Sequence, residues 1–198
     1  MWSGRLARAG SAPRARTADQ SHSRSGWRKV LVMGGLTDVL ASYGRFHRDP
    51  RNRLTHYFGV PAIIYSILIP AALYAVQLLG VRFGLDRVLV AIASLVYLTL
   101  DLRFGLALAV ALTLLAAAAE ATAMIGASVA WAVACIVFVL GWALQLLGHR
   151  LEGNRPALLT NLAQIFVAPL FLVAELGFAL GLRRTLHAAV RERVSRAA

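Results

Sequence analysis

What most limits the folds open to this chain is the recurrence of apolar runs as long as a bilayer is thick. Val60 to Gly80, Ser128 to Leu147 and Ala157 to Leu180 each offer about 20 residues or more of mostly apolar character, the length that a helix needs to cross a hydrocarbon core ~30 Å deep. Between Leu85 and Ala119 two shorter runs meet at Asp101, Leu102 and Arg103. The composition agrees, with 59% hydrophobic residues, 15% charged residues and a mean hydropathy of +0.65. The expected fold is therefore an all-α polytopic membrane protein. Four transmembrane helices are expected at about 60–80, 85–100, 103–119 and 128–147, followed by a re-entrant or kinked fifth hydrophobic segment at 157–180. That last segment carries Pro169, which frees a backbone carbonyl and bends or breaks a helix, and Glu175, a costly group at membrane depth.

The net charge of +12 invites a nucleic-acid reading, but its distribution argues against one. Eleven of the 21 Lys and Arg residues precede Val60 and five follow Leu182. Basic residues gathered at the flanks of apolar spans meet anionic lipid headgroups, so no nucleic-acid partner is expected. They also favour the cytoplasmic side, which places the N-terminus inside. Four spans then return the chain to the same face at His149. A full fifth span would put Arg183, Arg184, Arg191, Arg193 and Arg196 outside, whereas a re-entrant or kinked segment keeps them inside.

Three regions follow. Residues 1–32 form an Arg-, Ser- and Ala-rich arm with the composition of a disordered or transit segment, and Met33 would begin an equally good membrane protein. Residues 33–182 hold the membrane domain, and 183–198 a basic tail. The single cysteine, Cys135, lies mid-span, so no internal disulfide forms and redox compartment is not legible. Oligomeric state is not legible either.

The chemistry gathers in two segments that this topology places at one membrane face. "YGRFHRDPRNRLTHYFGVP", Tyr43 to Pro61, holds His47, Asn52 and His56; "GHRLEGNRP", Gly148 to Pro156, holds His149, Glu152 and Arg155. Asp49 followed by Pro50 reads as an N-cap and first helical position, which puts Asn52 and His56 four apart on one helical face. His149 and Glu152 are three apart, neighbours on a helix that stops by Asn154 and Pro156. Three imidazoles, or two with a carboxylate, suit a borderline divalent metal. Iron(II) with open positions for oxygen and zinc are both compatible with such ligands. The competing reading is that amphipathic histidines line a membrane interface and make surface hydrogen bonds only.

Other candidates are weaker. His47 followed by position 52 has the spacing of an acyltransferase His-x4-Asp pair, but Asn52 supplies no carboxylate. Arg155 is a candidate headgroup ligand through bidentate hydrogen bonds. Glu120 is expected in a solvated turn, His187 at the interface and His22 within the arm. No nucleophile elbow, phosphate-binding glycine loop or CxxC motif is present.

Tyr-x3-His-x4-Asn-x3-His-x2-Gly-x-Pro and, much later, Gly-His-x2-Glu-x2-Arg-Pro-Ala together resemble the small membrane-protein family that includes the fungal endoplasmic-reticulum 2-hydroxy fatty acid dioxygenase of phytosphingosine breakdown. The likeness covers about Tyr43 to Leu180. It implies an Fe(II)-dependent oxygenase that shortens long-chain 2-hydroxy fatty acids by one carbon, using molecular oxygen and a lipid substrate held in the bilayer. It also implies that His47, His56 and His149 are the metal ligands and that Glu152 and Asn52 are the surrounding catalytic-motif residues. Glu152 is open to two roles, metal ligand or hydrogen-bond acceptor for a histidine. The alternatives are a non-catalytic lipid-headgroup-binding protein or small transporter, and a zinc hydrolase.

Overall fold

The computed structural model describes residues 35–153 and 163–196, which form seven helices and one two-stranded hairpin. They are α1 (Leu36–Gly44), α2 (Pro50–Ala72), β1 (Ala75–Leu78), β2 (Val81–Gly84), α3 (Leu85–Leu100), α4 (Leu102–Ala123), α5 (Ala127–Glu152), α6 (Ala163–Ala179) and α7 (Arg184–Ser195). The expected helical class holds, and α2, α4 and α5 are long and apolar enough to cross a membrane. A fourth such span exists if the bent pair α6 and α7 is counted as one.

The elements depart from the sequence reading in several respects. The first apolar helix covers 50–72 rather than 60–80, because it begins at the Asp49 cap, so the histidine-bearing segment and the first membrane helix are one element. The stretch expected to end that span turns into the hairpin, with Ala75 opposite Gly84 and Leu78 opposite Val81. Its tight turn uses positive φ at both Leu79 and Gly80, the backbone twist that two-residue hairpins require. The helix at 85–100 forms as expected, but its 16 residues extend only about 24 Å, so it does not qualify alone. Pro169 lies inside a continuous α6 rather than breaking it, and the bend of 118° falls between α6 and α7. There Gly181 and Arg183 take positive φ.

The break expected at Asp101 is real and has a local cause. Asp101 is extended, and its carboxylate accepts from the backbone N–H of Arg103 and Phe104, capping α4. The other oxygen accepts from Arg183 at 3.0 Å, which ties this turn to the α6–α7 bend. The helices on either side fold back on one another, for Gly105 lies against the backbone of Tyr97 and Leu98.

Packing of α2 against α5 sets up the site. Thr55 and Asn52 face Gly148, Gly59 faces Gln145 and Gly141, and Ile63 faces Gly141, a run that ascends on one helix as it descends on the other. The two helices are therefore antiparallel, and glycine at each crossing lets the backbones approach closely, the usual solution where lipid supplies no drive for helix association. Further ties are Tyr65 to Thr122 at 2.6 Å and Tyr97 to the Phe166 carbonyl at 2.9 Å.

The outer surface is apolar as well. On α4, Leu102, Leu106, Val110 and Leu114 are exposed, while Phe104, Leu108, Leu112 and Ala116 are buried. Apolar side chains on both faces of a helix suit burial against protein on one side and lipid on the other.

Candidate metal centre

His56 rides on the first turns of α2. The cap is as expected: Asp49 accepts from Arg51 N–H at 2.8 Å and Pro50 occupies the first helical position. This fixes the helical phase and puts Asn52 and His56 on the buried side, facing α5. His149 comes from the last turns of α5, and His47 from the connection between α1 and α2. All three rings are buried. Each offers one ligand atom, and these atoms lie within 4.8 Å of one another.

Hydrogen bonds settle which atoms those are for two of the rings. His47 Nδ1 donates to the Tyr43 carbonyl at 3.0 Å, and His56 Nδ1 donates to the Asn52 carbonyl at 2.9 Å. With Nδ1 protonated in both, each Nε2 carries a lone pair, yet the two Nε2 atoms stand 3.2 Å apart. Two buried acceptors at that distance repel unless a cation lies between or beside them. His149 adds a buried Nδ1 with no partner among the described residues. Ligating imidazoles that donate their other N–H to backbone carbonyls are the usual arrangement around a bound metal. The donor set fits a divalent ion of intermediate softness.

Burial, then the neighbouring His56, pushes the His47 pKa down to about 3. The ring is thus neutral, and competent to ligate, throughout the physiological range. The shift also has a sign for stability. In the unfolded chain a histidine takes up its proton near pH 6.5, while folded His47 stays neutral far below that. Acid therefore favours the unfolded state, and metal-free protein should lose thermal stability progressively as pH falls from about 6.5 toward 3. A melting series in chelator checks this, and a flat profile would mean that His47 is not buried as described.

Around the rings the other motif residues act as braces. Tyr43 stacks on His47 with centroids 3.9 Å apart and planes 4° from parallel, and Phe171 packs against the same tyrosine. The Glu152 carboxylate accepts from the backbone N–H of Arg48 and of Asp49 and from Asn52 Nδ2. It therefore sits on the N-terminus of α2, where the helix dipole favours negative charge, and pins the end of α5 there. Glu175, costly at membrane depth if alone, pairs with Arg53 at 2.8 Å. Glu120 is not in a turn: it lies in the last turn of α4 and is held by Arg87. His187 stacks on Phe178 at 4.5 Å, apart from the cluster. Arg155 lies outside the described residues.

Below the histidines, between α2, α5 and α6, opens a cavity of about 110 Å³. His47, His56 and His149 form its polar end, and Val60, Ile63, Ile64, Leu146 and Ile165 line the rest. On the other side of His47 a wider cavity of about 680 Å³ has Phe171 and Phe178 on part of its wall and Arg48, Arg53, Glu175 and Arg191 on the rest. His47 is thus reachable from an oily side and from a charged side. Two residues of the inner cavity, Trp142 and Gln145, were missed from the sequence; the available signal was their spacing, seven and four residues before His149 on one helix face.

Comparison with known proteins gives two matches. A family model described as 2-hydroxy-palmitic acid dioxygenase Mpo1-like matches residues 33–180. The chain is 34% identical over 159 residues to the 2-hydroxy-palmitic acid dioxygenase MPO1 of Saccharomyces cerevisiae, across 78% of this chain and 88% of that protein. No solved structure matches.

Proposed function

Because this chain belongs to the 2-hydroxy-palmitic acid dioxygenase Mpo1-like family, we propose that it is an iron(II)-dependent dioxygenase acting on long-chain 2-hydroxy fatty acids. The observation that carries the reading is the convergence of the His47 and His56 Nε2 lone pairs, with His149 beside them, at the head of an apolar cavity. In this reading His47, His56 and His149 hold the metal, and Glu152 and Asn52 position them. Iron is preferred to zinc because the family's chemistry uses oxygen, and zinc has no redox chemistry. The membrane interface is the natural location, with the N-terminus and the site on the cytoplasmic face where the flanking arginines favour it.

Held by His47, His56 and His149, iron(II) would supply the redox chemistry that lets dioxygen react with a 2-hydroxy acid. The chain's own residues do the rest. The apolar wall from Val60 to Ile165 takes the acyl chain out of water, and the Tyr43 and Asn52 carbonyls hold two imidazoles in the ligating tautomer. Loss of one carbon as carbon dioxide, with oxidation of C2 to the new carboxylate and release of one water, balances against one dioxygen. No separate reductant is required.

The test is oxygen uptake by detergent-purified protein reconstituted with Fe(II), on addition of 2-hydroxypalmitate. One oxygen consumed per acid one carbon shorter is the expected result. Iron bound without uptake would reject this substrate class. Protein that purifies without affinity for iron would favour a non-catalytic lipid-binding role.

A further inference from the structure

The inner cavity contains a mismatch between its walls and its donors. It is almost wholly apolar beyond the histidines, yet two N–H groups of its lining have no partner among the described residues, Gln145 Nε2 and Trp142 Nε1. Gln145 is only 7% exposed. An amide hydrogen left unbonded in such a place is costly, and side chains that carry that cost commonly await a ligand. Both residues share the α5 face that carries His149, one and two turns further from the helix end. Gly59 on α2 makes the room, since a Cβ there would lie 2.8 Å from Gln145 Nε2.

The ligand must match what the pair offers. Two N–H donors call for an acceptor, and a carboxylate is acceptor-only, with lone pairs enough for both and for a metal besides. Among the described residues no lysine or arginine lines this cavity, so within them the negative charge is balanced by a cation held at the histidines. We propose that Gln145, with Trp142 behind it, binds the carboxylate of the fatty acid in the inner cavity and so sets which end of the molecule reaches the metal. This rests on the reading of the site as a metal centre for a fatty acid, and it names the side chains that recognise the acid.

The experiment compares equilibrium binding of palmitate and hexadecanol, equal tails with and without the carboxylate, to anaerobic Fe(II)-loaded protein. Wild type, Gln145→Met and Trp142→Phe are measured side by side, with iron content recorded for each. The expected result is that wild type prefers the acid, that Gln145→Met loses about tenfold of that preference and Trp142→Phe several-fold, and that iron is retained. A merely structural role would weaken both ligands alike. Undiminished preference in both variants, or none in wild type, overturns the proposal. Should Gln145→Met fail to hold iron, Trp142→Phe decides by the same criterion. If wild type binds the acid selectively through these residues but consumes no oxygen with 2-hydroxypalmitate, the carboxylate site stands and the oxygenase reading falls.

Discussion

Replacing His149 by alanine is expected to remove iron and turnover together. The ring supplies one of three clustered donors, and the neighbouring His47 and His56 are already committed through Nδ1 to carbonyls, so neither can rotate to take its place. Loss of a partner that only orients a ligand costs about 10–100-fold in metal affinity or activity, so removing a ligand itself should cost at least about 100-fold. His187→Ala is the control, because that ring stacks on Phe178 away from the cluster and its removal should leave iron content unchanged. Iron by elemental analysis and oxygen uptake are the two readouts. Wild-type values for His149→Ala in both would end the assignment of the cluster as the metal site.

Gly148→Ala should be nearly as damaging without touching a donor. A Cβ at this position would overlap both Thr55 Oγ1 and Asn52 Oδ1, which fill the space beside Gly148. Asn52 cannot withdraw freely, since its side-chain Nδ2 donates to Glu152, and its backbone carbonyl, which accepts from His56 Nδ1, cannot shift without disturbing that ring. The alternative is for α5 to move away from α2, carrying His149 off the other two rings. Overpacking of this kind costs about 1–3 kcal/mol, and a displacement near 1 Å at a reacting centre costs about 100-fold in rate. We therefore expect a lowered melting temperature together with a fall in turnover of about 100-fold. Thr55→Ala should partly rescue both by vacating one of the two overlapped positions. Unchanged turnover would mean that the close seam between these helices is not what holds the rings together.

Much of this was legible in the sequence, for reasons that differ by feature. Asp49 before Pro50 is a local signal, readable because capping and proline's fixed φ act within one turn. The meeting of the segments of His56 and His149 was expected from four crossings between them. The structure brings them together through the antiparallel packing of α2 and α5, and of the helices from α2 to α5 only α2, α4 and α5 are long and apolar enough to cross. What could not be read was where α2 ends, since nothing in the apolar composition of residues 73–80 separates a continuing helix from a hairpin built on Leu79 and Gly80. Pro169 misled because proline in a membrane helix is tolerated wherever neighbours satisfy the freed carbonyl. Glu120 looked like a turn residue because its partner, Arg87, lies 33 positions away. Gln145 looked like any polar residue near a helix end, and only the packing of Gly59 against it shows a side chain enclosed beside the cavity.

The glycine seam and the exposed stripe of α4 lie on different helices and share no residue. The approach of His56 to His149 is set by backbone meeting backbone along the seam, while Leu102, Leu106, Val110 and Leu114 are exposed on the outer face. Selection can therefore lengthen, shorten or restock that stripe to suit bilayers of different thickness and leave the spacing of the imidazoles untouched. In a chain built in this way the coat and the site can change independently.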